Sequence, residues 1–401
     1  MVQTNVLKET KIYNHIIAHM DDTIIKKAGR HIPGTAWRRD PLGPAFHTNF
    51  IWGQRFIQVS MALPNDDMPS SSRAIPVDFY HCPTVAKPKR NASDEEVSQY
   101  KEAKKKFKLS EQGSKRIKLL RENLDKNGVR DKQLIMSVDG SYSNKEVLKS
   151  LPQRVTLIGR IRKDIKLFKL PDNQSGKGRK RVYGDRLETP EQIRQTDQCK
   201  WKEVKAWAAG KSHDFNVKIV DNIRWKSAGE KHILRLVVIR PLGYRLTKGS
   251  RMLYRKPAYL ICTDTKLDIQ TLLQAYLWRW EIEVNFREEK SMLGCGQAQV
   301  RNPNSVELFP AFIAAAYSLL HIASYRAYKK SENSTIPRAK WYKKKPQKRI
   351  TTGDLLNNVR AHLYSKSLGL NFNDFVNEQF LTRSLQNGKN PFVSAPFCVR
   401  N

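Results

Sequence analysis

The stretch Gln133-Leu-Ile-Met-Ser-Val-Asp139-Gly140 is a compact apolar run that stops on an acid and a glycine. A short apolar run closed by turn formers reads as a buried strand. A second such run, Ile12 to Asp22, also ends in acids, Asp21 and Asp22. Two strands that each deliver a carboxylate at one end need a third group before they make a site. The segment Tyr276-Leu-Trp-Arg279-Trp-Glu-Ile-Glu283-Val-Asn-Phe-Arg-Glu-Glu-Lys290 offers one. At about 100° per residue, helix positions 276, 279, 283 and 290 fall within roughly 60° of one another. A phenol, a guanidinium, a carboxylate and an ammonium then share one face, which is an odd face for a core helix.

The rest of the chain reads as a mixture of strands and helices, hence an α/β protein. Phe56 to Leu63, Val155 to Phe168, Val217 to Trp225, His232 to Arg240 and Tyr259 to Thr263 have strand character, and Trp37 to Pro44 is turn-rich. Ser93-Asp-Glu-Glu96 is a capping box that opens a Lys-rich helical stretch expected to end near Gly128. Asn144 to Leu151 reads as a short helix, Asp268 to Lys290 as one continuous helix, and Val306 to Tyr325 as a largely buried one. No internal repeat is visible.

The chain has 401 residues and a formal net charge of +35, from 73 Lys+Arg against 38 Asp+Glu. At 39% hydrophobic it can bury a sizeable core. An excess of positive charge spread along the whole length implies a polyanion as partner, nucleic acid first, because Lys and Arg on phosphates release counterions. Ribosomal and packaging proteins share the charge but are usually smaller and poorer in aromatics. Basic stretches stand out at Lys177 to Arg181 and between His321 and Ile350, where Trp341 and Tyr342 interleave with ten Lys+Arg. Both suit backbone tracking, which positions DNA without reading its sequence.

Cys82, Cys199, Cys262, Cys295 and Cys398 are widely spaced, with no CxxC pair, so neither a disulfide frame nor a zinc site is expected. The N-terminus lacks an apolar secretory core. The longest apolar run, Pro310 to Ser324, is shorter than the ~20 residues a bilayer demands and reads as a buried helix. The expectation is a soluble, cytoplasmic protein with no membrane partner.

Three gathered carboxylates repel one another unless cations join them. Two divalent ions about 3.5–4 Å apart would satisfy them and clamp the oxygens of a phosphoryl transfer. All-oxygen donors favour Mg²⁺ or Mn²⁺ over zinc. Each acid also has a bland reading: a strand-end Asp is commonly a turn former, and Glu283 could simply pair with Arg279 or Arg287 at helical spacing.

The spacing Tyr-x2-Arg-x3-Glu-x6-Lys at 276, 279, 283 and 290 resembles the YREK motif of DDE-type insertion-sequence transposases. Three more stretches look like the same family: Asp21-Asp22-Thr23 followed by Lys27 and Gly29-Arg30, Val138-Asp139-Gly-Ser-Tyr142, and Gly159-Arg-Ile-Arg-Lys163. The resemblance implies an RNase H-like mixed sheet flanked by helices, interrupted by a β-rich insertion and followed by a helical, basic C-terminal region. The corresponding bounds are 1–175 and 258–330 for the two parts of the catalytic domain, 176–257 for the insertion and 331–401 for the C-terminal region.

It also implies that Asp22, Asp139 and Glu283 hold the metals, two Mg²⁺ or Mn²⁺ ions being the expectation. Asp22 is preferred to Asp21 because it directly precedes Thr23, and neighbouring strand residues face opposite ways, so only one of them can serve. Tyr276, Arg279 and Lys290 would hold a DNA phosphate, Arg as a fork and Lys as a point charge. Lys27, Arg30, Lys343, Lys344 and Lys345 are the further expected DNA contacts. Similar transposases extrude a base near the cut, which needs an aromatic to stack on. On the helical wheel Trp278 falls in the core, whereas Trp280 is open to that role.

The expected function is thus a transposase acting on double-stranded DNA, as a homodimer at two element ends, in the prokaryotic cytoplasm beside the nucleoid. The rivals are a truncated or decayed transposase that only binds DNA, and a simple metal-dependent nuclease. One departure from the family stands out: only 21 residues precede Asp22, where a helical DNA-binding region is usual. The expectation is either an N-terminally shortened copy or a start placed downstream of the true one.

Overall fold

The computed structural model describes the chain except for residues 11–13, 41–42, 45, 66–67, 173–178, 246, 248, 330–349 and 368–401. A short helix, α1 (Val2–Thr10), precedes β1 (His15–Lys26). β1 does not stop at its acids: Thr23 to Lys26 continue the ladder, paired with Phe56 to Gly53. β2 (Ala36–Arg39), β3 (Phe50–Pro64) and β4 (Ser72–His81) follow, so part of the expected turn at Trp37 is a strand.

The capping box forms as expected, with Ser93 and Glu96 each accepting the other's backbone N–H, and opens α2 (Asp94–Lys106). A second helix, α3 (Leu109–Lys126), carries the Lys-rich stretch to Gly128, whose φ of 76° ends it. Next come β5 (Gln133–Val138), α4 (Lys145–Lys149), capped by Asn144, and β6 (Val155–Arg160).

The expected long strand from Val155 to Phe168 is instead two, since a turn separates β6 from β7 (Leu167–Lys169). After α5 (Pro190–Gln195) the chain is strand-rich: β8 (Lys202–Ala208), β9 (Lys211–Trp225), β10 (Leu234–Ile239), the small pair β11 (Gly243–Tyr244) and β12 (Leu253–Tyr254), and β13 (Ala258–Cys262). Helices α6 (Ile269–Trp278), α7 (Trp280–Ser291), α8 (Pro303–Lys329) and α9 (Thr352–Ser367) complete the described chain.

One mixed sheet runs β2-β3-β1-β5-β6-β13-β10-β9-β7, with β4 also on β3 and β8 also on β9. Its centre is the parallel run β1, β5, β6. Helices flank the sheet and a helical region follows it, an architecture consistent with an RNase H-like fold. The strands between β7 and β13 hydrogen-bond into this same sheet through β13 and β10.

The central strands are apolar on both faces, as buried parallel strands are. Ile16, Ala18, Met20, Leu134, Met136 and Val138 pack with Ile117, Leu120 and Leu124 of α3. Ile17 and Ile135 point the other way, toward Leu272, Leu273 and Trp278 of α6. Each such fully buried aliphatic side chain stabilises the fold by about 1.5–3 kcal/mol. The strand parity set here decides which acid meets which helix. α8 is long and apolar enough to cross a bilayer by length and composition. One flank of it packs on β4, where the Ser318 hydroxyl donates to the Pro76 carbonyl at 2.7 Å.

Candidate active site

Met20 and Val138 are register partners in parallel strands, so Asp21 and Asp139 follow side by side at the same level of the sheet. Asp21 continues the face of Ile17, and Asp139 that of Ile135 and Ser137. The Ser137 hydroxyl donates to the Ala275 carbonyl of α6 at 3.1 Å, which anchors the helix over this face. From that helix pair Arg279 reaches across. Its Nη1 donates to Asp21 Oδ2 at 2.7 Å and its Nη2 to Glu283 Oε1 at 3.3 Å. One guanidinium thus bridges a strand acid and a helix acid.

Burial pushes the Asp21 carboxyl up to about 7. Arg279 and the Asp22 N–H oppose that rise, whereas the charges of Asp22 and Asp139 add to it. Burial likewise raises Glu283 against the pull of Arg279, and Asp139 again adds. Asp139 thus lies within the field of both Asp21 and Glu283, and Arg279 pairs with the latter two. His19, two residues before Asp21 on the same face, is fully buried, and burial followed by Arg279 lowers it to about 3.

The helix expected to run from Asp268 to Lys290 breaks at Arg279, which ends α6 and starts α7. The Arg279 N–H donates to the Tyr276 carbonyl and the Ile282 N–H to the Arg279 carbonyl, so bonds three residues apart replace those four apart. The usual breakers, proline and glycine, are absent here. The break falls instead on the residue whose side chain crosses to β1. It does not scatter the polar face. The Tyr276 ring lies 5.9 Å from the Arg279 guanidinium, and Lys290 Nζ donates to the Thr23 hydroxyl at 2.6 Å. Thr23 sits on the Asp21 side of β1.

Asp22, the acid preferred from sequence, faces the opposite side. Its Oδ2 lies 3.2 Å from Arg55 Nε and its Oδ1 accepts from the Tyr142 hydroxyl at 3.3 Å. Tyr142 is fully buried under α3. Gly113 makes room for it, since a Cβ there would lie 2.6 Å from the Tyr142 ring. Strand alternation thus turns Asp22, the acid expected from sequence, away from Glu283 and turns Asp21 toward it.

The remaining expected contacts divide. Lys27 Nζ donates to the Gly296 and Ala298 carbonyls, both at 3.1 Å, and so ties β1 to the chain after α7 rather than facing solvent. Arg30 is exposed. Lys343, Lys344 and Lys345 lie outside the described residues. Trp278 is buried, with its indole N–H on the Ser70 carbonyl at 2.9 Å, while Trp280 is 58% exposed. Sequence reasoning missed Arg55, and it quoted Thr23 and Tyr142 within motif stretches without giving either a contact. The register between strands reveals their partners.

A cavity of about 1060 Å³ opens beside Asp139, and Arg160, Arg162, Lys163, Arg194 and Lys256 line it. Among the described residues no three His, Cys, Asp or Glu side chains converge into a ready metal-ligand set. Arg279 stands between Asp21 and Glu283, where it supplies the positive charge. The donor chemistry nevertheless fits a hard divalent cation, because the three acids offer only carboxylate oxygens.

Residues 6–215, just over half of the chain, match the DDE superfamily endonuclease family, and the chain belongs to that family. The matched span includes both strand acids and ends before Glu283. No curated protein matches the chain significantly. Membership carries nuclease- or transposase-type activity, DNA as the substrate class and the divalent-metal use general to such nucleases.

Proposed function

We propose that the chain is an insertion-sequence transposase that cuts DNA at the element ends and transfers the freed strand to a target. In this reading Asp21, Asp139 and Glu283 are its metal-binding acids. The observation that supports it most is the Arg279 bridge between Asp21 and Glu283, with Asp139 level with Asp21 on the same face. Two Mg²⁺ or Mn²⁺ ions on these oxygens would supply Lewis acidity to the attacking and leaving oxygens of the phosphodiester.

The chain's own groups do the rest. Asp21 and Asp139 come from rigid strands and Glu283 from a helix packed on them, so the donor oxygens are held in place before DNA arrives. Arg279, once released from its two acids, can grip a DNA phosphate bidentately. Lys290 places a point charge two residues further along β1. In the cavity beside Asp139, Arg160, Lys163 and Lys256 would neutralise flanking phosphates, whereas Arg162 and Arg194 there pair with Asp164 and Glu191. No covalent enzyme intermediate is required. Joining two element ends calls for a homodimer on DNA, and the nucleoid is where such a protein would work.

Nicking and strand transfer on a supercoiled plasmid, with Mg²⁺ or with EDTA, test this reading. The parent should nick and join only with metal, and Asp139→Asn and Glu283→Gln should do neither. Nicking without joining would assign a simple nuclease. DNA binding without nicking by the parent would assign a binding protein, and cleavage that survives both substitutions would remove these acids from the reaction.

A further inference from the structure

The hairpin β2–β3 presents aromatic and basic side chains on the same side of the sheet as the acids. In the antiparallel register Asp21 opposes Gln58 and Lys26 opposes Gly53. β3 extends further, to Phe50, which opposes Arg39 of β2. Eight residues separate Gln58 from Phe50, so at about 3.3 Å each the hairpin reaches roughly 26 Å past the level of Asp21.

Directly opposed residues share a face. Gln58, Phe56, Gln54, Trp52 and Phe50 therefore lie on the side of Asp21, Thr23 and Ile25. Phe56 and Ile25 bear this out, being buried together with Cys295. Across β2, Trp37 opposes Trp52 and Arg39 opposes Phe50. The arm thus carries Trp37, Arg39, Phe50 and Trp52 on the face that bears the acids. Arg38 points to the other face, toward Arg55 and Asp22.

These rings are not core. Trp37 is 66% exposed and Phe50 61% exposed. Trp52 is held by its indole N–H on the Gly29 carbonyl at 3.0 Å, and it supports Trp37 edge-on with ring centroids 5.5 Å apart. Two large rings left in water, beside an exposed arginine on a chain of net charge +35, suit an anionic partner with flat apolar faces. Nucleobases on a phosphate backbone have that chemistry, since stacking and cation contacts combine on single strands.

We propose that this arm is a base-stacking platform, with Trp37 and Phe50 taking unpaired bases of the DNA strand that leaves the acids and Arg39 taking its phosphates. The inference rests on the DNA-cutting reading above. Its test measures binding, so the two can fail separately.

The full chain carrying Asp139→Asn, which prevents cleavage, is titrated with fluorescein-labelled single strands, blunt duplexes and duplexes with an unpaired flank. Trp37→Ala and Phe50→Ala should each weaken binding of the single strand and the flanked duplex ~5- to 150-fold, with blunt-duplex affinity little changed. Trp37→Phe should restore most of the loss, and thermal melting should stay at the parent value. Arg39→Ala should weaken all three probes and lower the salt slope by about 1. Ring removal that leaves every affinity within about twofold, or that weakens blunt and unpaired probes equally, would overturn the platform. Loss of affinity with Trp37→Ala in a chain whose Asp139 form never nicks would support the platform and count against the cleavage reading.

Discussion

On one face of β1, Asp21 meets Arg279 at 2.7 Å with its carboxyl pushed up to about 7; on the other, Asp22 meets Arg55 at 3.2 Å and Tyr142 at 3.3 Å. The two acids are adjacent, and both have 17% of the side chain exposed. What separates them is the charge each one faces. Asp21 shares a single arginine with Glu283 and feels Asp139 as well. Burial raises Asp22 too and Asp139 adds to that rise, but Arg55, the Tyr142 hydroxyl and Arg38 oppose it. One arginine serves two acids on the first face, whereas two arginines lie near Asp22 on the second. In the proposed reading a cation would therefore enter at Asp21 rather than at Asp22.

The largest effects should divide along this line. Glu283→Gln or Asp139→Asn should lower plasmid nicking at least about a thousandfold, the scale of losing a group that stabilises transition-state charge. Arg55→Met, on the opposite face, should cost at most about a hundredfold, the range of a supporting residue. Equal losses in the nicking assay would erase the distinction between the faces.

Arg279 sharpens the comparison without any reaction. Arg279→Ala leaves Asp21 and Glu283 without their shared partner and should destabilise the metal-free protein by about 3 kcal/mol in chemical denaturation. Added Mg²⁺ should recover part of that loss. A deficit that metal does not touch would show that Arg279 does not stand in for a cation.

Titration gives a smaller signal of known sign. Asp21 rises from 3.8 to about 7, so between those values the folded protein binds more protons than the unfolded chain. Its contribution to stability is full below about pH 4 and is lost as pH rises to about 7, and the shift of Glu283 acts in the same direction. Thermal melting of the metal-free protein should follow that decline, and Asp21→Asn should make it shallower, leaving the part that Glu283 and Asp22 contribute. Mg²⁺ affinity should rise over the same range. A parent and an Asp21→Asn variant with parallel pH profiles would contradict the raised carboxyl. The smallest effect is expected for Thr23→Val, which removes the acceptor of Lys290 and should cost about 1–2 kcal/mol in equilibrium unfolding.

Several elements were legible in the sequence because their signals are local. β5 falls on Gln133–Val138 as read, and Ser93 with Glu96 makes the expected cap. β4 gave no such signal. Pro76 breaks its pattern and sits where the β3–β4 register shifts, a place where an edge strand tolerates proline. The break at Arg279 carries no breaker residue and follows from a contact with β1, 258 positions earlier. The choice between Asp21 and Asp22 was illegible for a related reason. Ile16, Ile17, Ala18 and Met20 are apolar on both faces of β1, so alternation leaves no trace until the partner strands and helices are in place.

The most direct test of the account compares Asp21→Asn with Asp22→Asn, reading Mg²⁺ binding by calorimetry and plasmid nicking in parallel. The account predicts that Asp21→Asn loses both, whereas Asp22→Asn binds Mg²⁺ and still nicks. Mg²⁺ binding and nicking that survive Asp21→Asn but vanish with Asp22→Asn would contradict it.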